Sequence, residues 1–109
     1  MQWNALTELA QLSHLREVSF HQPQIIFKHS TRCSISTMAL NRLERSETPE
    51  NAVFYLLDLI LYREISNAIA EQFAVYHESP QVLIIRNGEC VYDESHSGIN
   101  MEEIREMIG

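Results

Sequence analysis

Cysteine is scarce in this chain: two in 109 residues. That excludes a disulfide framework and leads us to expect reduced thiols and an intracellular setting. Basic residues are also few, with 8 Lys plus Arg against 15 Asp plus Glu and a formal net charge of −7. That deficit argues against a nucleic-acid binder and against attachment to an anionic membrane surface. Long hydrophobic runs are missing: Val53 to Leu57 and Val82 to Ile85 are strand-length, too short to cross a bilayer. The opening Met-Gln-Trp-Asn has neither a basic n-region nor an apolar h-region, so no secretory signal is expected. Three glycines and three prolines leave no flexible linker, and no repeat or low-complexity tract is present. The length suits one domain over residues 1–109. With 45% apolar residues, that domain can bury a core without covalent staples.

Charge is uneven. Residues 1 to 46 carry five basic and three acidic side chains, whereas residues 47 to 109 carry three and twelve. The acidic half reads as a solubilising surface. The basic excess contains the more informative cysteine, Cys33.

Hydrophobic spacing gives the elements. Leu6, Leu9, Leu12 and Leu15 predict a short amphipathic helix capped by Thr7 and broken at Gln22-Pro23. Gln24 to His29 reads as a buried strand. A helix is expected from about Cys33 to Arg45, and a second buried strand from Val53 to Asp58. Ile65, Ile69 and Phe73 predict a helix over 62–73. Gln81 to Arg86 is a third strand, and Asn87-Gly88 turns it into a fourth at Cys90 to Asp93. Asn100 and Glu103 form a capping pair for a last helix. The order is α-β-α-β-α-β-β-α, with a further short strand near Trp3. It implies an α/β fold with a mixed, four- to five-stranded sheet and helices on both faces.

Cys33 falls where a strand gives way to a helix. The unpaired N–H groups and dipole of a helix N-terminus favour an anion, and such positions lower thiol pKa values. Arg32 is adjacent and Lys28 lies on the preceding strand, so positive charge is available as well. Ser36, three residues on, stands where a Cys-x-x-Cys pair holds its resolving thiol. It cannot form a disulfide, but it could donate a hydrogen bond to the Cys33 thiolate. Ser79-Pro80 precedes the third strand, where a proline can be cis in a tight bend. If that strand runs antiparallel to the first, the bend and Cys33 share one end of the sheet. The Ser79 backbone could then bind an extended substrate.

A Cys-x-x-Ser at a strand-to-helix junction, followed by Ser-Pro and a hairpin, resembles the thioredoxin fold. Two segments are more specific: Ile26-Phe27-Lys28-His29-Ser30-Thr31-Arg32-Cys33-Ser34-Ile35-Ser36 and His77-Glu78-Ser79-Pro80-Gln81-Val82. They resemble the bacillithiol-system redox-active proteins (YtxJ type), monothiol bacilliredoxin-like general stress proteins. The likeness runs from Trp3 to His96. It implies a thioredoxin-like fold, a cytoplasmic setting and exchange with the thiol bacillithiol, with bacillithiolated proteins as partners and no bound cofactor. Cys33 takes the place of the family's active-site cysteine and Pro80 that of its cis proline. Arg32 and Ser36 are the groups expected to stabilise the thiolate. Thr31, Ser79, Pro80 and His96 are expected to contact substrate. Ser34 stands where the family often has proline, and Ser97 where a tryptophan often follows His96. Phe27 occupies the position of the buried aspartate of dithiol thioredoxins.

Cys90 lies past the hairpin turn, about five strand residues or roughly 17 Å from the Cys33 end. That exceeds the Cα separation of about 7 Å that a disulfide tolerates, so Cys90 is expected to be a packed thiol. The five histidines show no metal-binding spacing. His29, His77 and His96 could gather near Cys33 and tune it, with His77 expected to be a solvated loop residue. Two function classes remain. One is monothiol exchange at Cys33; the other is a non-catalytic adaptor binding partners at the Pro80 groove. An accessible Cys33 favours the first, and full burial the second. An iron–sulfur scaffold is weaker, because Ser34 replaces the usual glycine.

Overall fold

The computed structural model describes residues 1–109. The elements in order are β1 (Asn4–Ala5), α1 (Ala10–Val18), β2 (Gln24–His29), α2 (Ser34–Arg45) and β3 (Val53–Asp58). There follow α3 (Arg63–Gln72), β4 (Gln81–Arg86), β5 (Glu89–Ser95), a 3-10 turn at His96–Gly98 and α4 (Met101–Ile108). The five strands form one sheet in the order β1-β3-β2-β4-β5. β2 and β3 run parallel, joined by α2, whereas β4 runs antiparallel to β2 and pairs with β5 as a hairpin. The mixed sheet and the short strand near Trp3 agree with the sequence reading.

β2 sits in the middle of the sheet, and all six of its residues are buried. This explains why Ile25-Ile26-Phe27 is a continuous apolar run rather than an alternating one. Successive side chains still enter opposite faces. Ile26 packs with Leu12 and Leu15 of α1 and Ile65 and Ile69 of α3. Ile25 and Phe27 pack with Ala39 and Leu43 of α2 and Met101, Ile104 and Ile108 of α4. The sheet therefore separates two apolar cores, with helices on both faces.

The first helix departs from expectation. It begins at Ala10, and Thr7 does not cap it. Leu6 is fully buried but extended, because its N–H bonds the Leu56 carbonyl and so continues the β1–β3 pairing. The Gln11 side chain reaches back from the first turn and accepts the N–H groups of Thr7 and Glu8, in the segment before the helix, at 2.7 and 2.9 Å.

Other local signals hold. Asn87 and Gly88 both have positive φ, 54° and 79°, as a tight two-residue hairpin turn requires. Asn100 accepts from the Glu103 N–H at 2.9 Å, and its amide donates to the Glu103 carboxylate at 3.1 Å. β5 carries an irregularity after the turn: Ile85 pairs with Cys90 while Ile84 pairs with Tyr92, so Val91 bulges. No helix is long and apolar enough to cross a membrane.

Candidate active site

The end of β2 and the start of α2 build the site. His29 closes the strand, Ser30 to Arg32 form the bend, and Cys33 is the N-cap of α2. Its extended backbone (φ −115°, ψ 119°) turns into the helix, and its carbonyl accepts the Thr37 N–H at 3.1 Å. No side chain caps α2. In most helices an N-cap oxygen accepts the first unpaired N–H groups; at this one the N-cap side chain is a thiol. A thiolate formed there meets those donors and the positive end of the helix dipole. Cys33 is half-buried, so its sulfur is neither sealed in the core nor fully surrounded by water.

The β2–β4 register brings the second segment to the same end. Lys28 pairs with Gln81, which sets Pro80 beside His29. The Ser79-Pro80 bond is cis. Pro80 itself is buried, so the accessible parts of the bend are half-buried Ser79 and exposed Glu78. The Ser79 hydroxyl is buried without a hydrogen-bond partner. The Pro80 carbonyl accepts the His96 N–H at 3.1 Å, tying the end of β5 to the bend. His96 has a positive φ of 56°, an uncommon conformation outside glycine. Its imidazole Nε2 lies 3.7 Å from the Glu78 carboxylate, a pair that attracts when His96 is protonated. Arg42 of α2 holds this corner by donating to the carbonyls of His96 and Ile99. Cys33, Ser79, Pro80 and His96 are thus gathered at one end of the sheet.

Arg32 and Thr31 are exposed on the bend before Cys33. Arg32 makes no ion pair, which leaves its charge available to an approaching anion.

Ser36 differs from expectation. It is fully buried, and its hydroxyl is engaged by His29 and Ser30 rather than by Cys33. The Ser30 N–H donates to it at 3.0 Å, and His29 Nδ1 lies 2.6 Å away. The cause is the pleat: His29 points to the same face as Phe27, onto α2, where the Ser36 hydroxyl is the nearest polar group. The two rings of Phe27 and His29 stack at 6.0 Å and 27°. Burial lowers the His29 pKa, opposed by the carboxylates of Asp58 and Glu44. Sequence reasoning had brought His29 to the Cys33 end but had not given it Ser36 as a partner. The alternation along β2, counted from Phe27, was the signal.

Lys28 also differs. It points to the opposite face and does not support the Cys33 thiolate. Its side chain is fully buried, with Nζ 2.8 Å from His77 Nδ1 and 3.0 Å from Gln81 Oε1. Burial pulls its pKa from 10.5 down to about 8, against the pull of Glu78. His77 is therefore no idle loop residue, although it is exposed. Burial and the charges of Lys28 and Arg63 lower its pKa. Gln81 donates onward to the Tyr76 carbonyl at 3.0 Å, so the cluster anchors the segment leading into Ser79.

Cys90 sits at the far end, beside Ile85, half-buried and donating to the Tyr92 carbonyl at 3.3 Å. Burial pushes its thiol up to about 11. It is a packed thiol, as expected. Two concavities of about 500 Å³ lie along α1, lined by His14, Glu17 and Phe20, near the hairpin turn and away from Cys33.

The fold is shared with solved structures. A candidate oxidoreductase with a thioredoxin fold is 28% identical, with a TM-score of 0.82 over 94% of this chain and 89% of that one. Thioredoxin from Fasciola hepatica is 19% identical, with a TM-score of 0.72 over 96% and 95% of the two chains. Malassezia sympodialis thioredoxin is 16% identical, with a TM-score of 0.73 over 98% and 88%. These last two likenesses establish the thioredoxin-like fold alone. The family model for the monothiol bacilliredoxin BrxC matches residues 4–104, and the chain belongs to that family.

Proposed function

We propose that this protein is a monothiol thiol–disulfide exchange enzyme that removes or transfers bacillithiol on protein cysteines through Cys33. The observation that carries the reading is a half-buried cysteine at the uncapped start of α2, at the same sheet end as the Ser79-Pro80 bend. Membership of the monothiol bacilliredoxin family supports bacillithiol as the small-thiol co-substrate.

The cycle needs one protein thiol. The Cys33 thiolate attacks the bacillithiol sulfur of a mixed disulfide between bacillithiol and a client protein. The client's sulfur leaves as thiolate, and Cys33 becomes disulfide-bonded to bacillithiol. A second bacillithiol thiolate attacks the sulfur of the bound one. Cys33 is released as thiolate and bacillithiol disulfide forms. Arg32 offsets the charge of the attacking and leaving thiolates. Thr31, the Ser79 backbone and His96 line the approach, and the accessible Ser79 edge suits an extended client segment. The site uses no metal, and its natural setting is the cytoplasm, where thiols stay reduced.

Intact-protein mass spectrometry of reduced protein mixed with bacillithiol disulfide tests this, with peptide mapping and a Cys33→Ser control. A rapid adduct on Cys33, reversed by bacillithiol, is expected. No adduct on Cys33, or labelling of Cys90 alone, would sink the cycle and favour an adaptor binding partners near Pro80.

A further inference from the structure

Lys28 has no task in the exchange chemistry, yet it is fully buried at the site end of the sheet. A buried charge is costly unless it is well partnered. The partners here are specific. Nζ lies 2.8 Å from His77 Nδ1 and donates to Gln81 Oε1 at 3.0 Å. His77 is two residues before Ser79, and Gln81 directly follows Pro80. One ammonium therefore grips both sides of the Ser79-Pro80 bend. Gln81 Nε2 donates to the Tyr76 carbonyl at 3.0 Å and ties the two ends of the segment together. Ser66 Oγ of α3 lies 3.3 Å from the same His77 nitrogen. Burial, Lys28 and Arg63 disfavour a second cation at His77, against the pull of Glu78, so Nδ1 stays an acceptor for the ammonium.

The backbone offers no substitute for these bonds. Val75 bonds back to Ala70, and the Pro80 carbonyl accepts from His96. From Tyr76 to Ser79, no N–H or carbonyl takes part in a backbone–backbone hydrogen bond. Tyr76, His77 and Glu78 are exposed, so core packing does not fix them either. A segment with so few contacts of its own opens readily unless side chains hold it. The Ser79 N–H and carbonyl are among the groups left without a backbone partner, as a strand-pairing edge requires.

We propose that Lys28 is a positioning residue for the client step: by gripping His77 and Gln81 it holds the Ser79 backbone in the shape that an extended client segment pairs with. It acts from the face of the sheet opposite α2, through the bend rather than through the thiol. This deepens the exchange reading of Cys33 and rests on it. The consequence is a split between substrates. A disulfide joining bacillithiol to a peptide of about ten residues offers Ser79 a strand to pair with. A disulfide joining bacillithiol to free cysteine offers the same S–S bond with no flanking chain.

The test follows adduct formation on Cys33 in the full-length reduced protein with these two disulfides, for wild type, Lys28→Met and His77→Ala. Lys28→Met is expected to lower the rate constant about tenfold with the peptide disulfide, the worth of one or two hydrogen bonds, and by no more than about twofold with the cysteine disulfide. His77→Ala removes one of the two grips at an exposed position and should show the same split at about threefold. It decides the matter if Lys28→Met does not fold. Equal losses with both disulfides, or no loss with either, overturn the positioning role. So does a wild type that takes the peptide disulfide no faster than the cysteine one, since Ser79 then pairs with no client backbone. Absence of a Cys33 adduct from both disulfides in wild type is a separate failure: it refutes the exchange reading itself, and the positioning role with it.

Discussion

Replacing Lys28 with methionine tests how the site end of the sheet is held together. Lys28 is a fully buried ammonium whose pKa falls from 10.5 to about 8. At about 1.4 kcal/mol per pH unit, that difference corresponds to a destabilisation on the order of 3 kcal/mol while the amine is charged. The sign follows from proton binding. Between about pH 8 and 10.5 the unfolded chain holds the Lys28 proton and the folded chain has lost it, so stability rises with pH across that window. Below about 8 the full cost is present, and above 10.5 it is gone. Lys28→Met removes this dependence with an unbranched side chain of similar length. It also strands Gln81 Oε1, a loss of about 1–3 kcal/mol that does not vary with pH. At pH 7 the two effects roughly cancel, and the pH dependence separates them. The assay is urea unfolding at several pH values between 7 and 10.5, followed by the fluorescence of Trp3, the single tryptophan, which packs 5.9 Å from both Phe27 and Phe54. Cys90, Tyr55 and Tyr92 have raised pKa values and lower the stability of both proteins at high pH, so they drop out of the difference. Wild type should gain up to about 3 kcal/mol on the variant over the series. A difference that stays flat to within about 0.5 kcal/mol would refute the buried, strained charge.

Two further outcomes follow from local geometry. Cys90, held up to about 11, should react with iodoacetamide at pH 8 about two orders of magnitude more slowly than an ordinary exposed cysteine, as read by peptide mass spectrometry; comparable rates would contradict its packing. Asn100→Ala removes both bonds of the α4 cap and should lower stability by about 1 kcal/mol, measured as a shift of the urea midpoint with unchanged slope.

The short apolar runs and helical spacings, the Asn87-Gly88 turn and the Asn100–Glu103 cap were legible because each acts within a few residues of itself. So was Cys33 at the head of a helix, since a strand run followed by helical spacing fixes the junction. The resemblance added the family, which residues 4–104 bear out. Thr7 was misread because Leu6 continues the β1–β3 pairing, so the chain is still extended there and the helix starts only at Ala10.

What only the tertiary structure decided is where the polar side chains of the site go. Lys28 and His29 are neighbours in sequence, yet the pleat sends one to His77 and Gln81 and the other to Ser36. A buried polar group must find a partner, and these partners lie up to 53 residues away on elements brought together by packing. The same holds for Pro80 beside His29, a meeting set by the β2–β4 register. The sequence alone determined that a thiol would begin a helix next to an arginine; the sheet determined that a histidine would stand behind its serine.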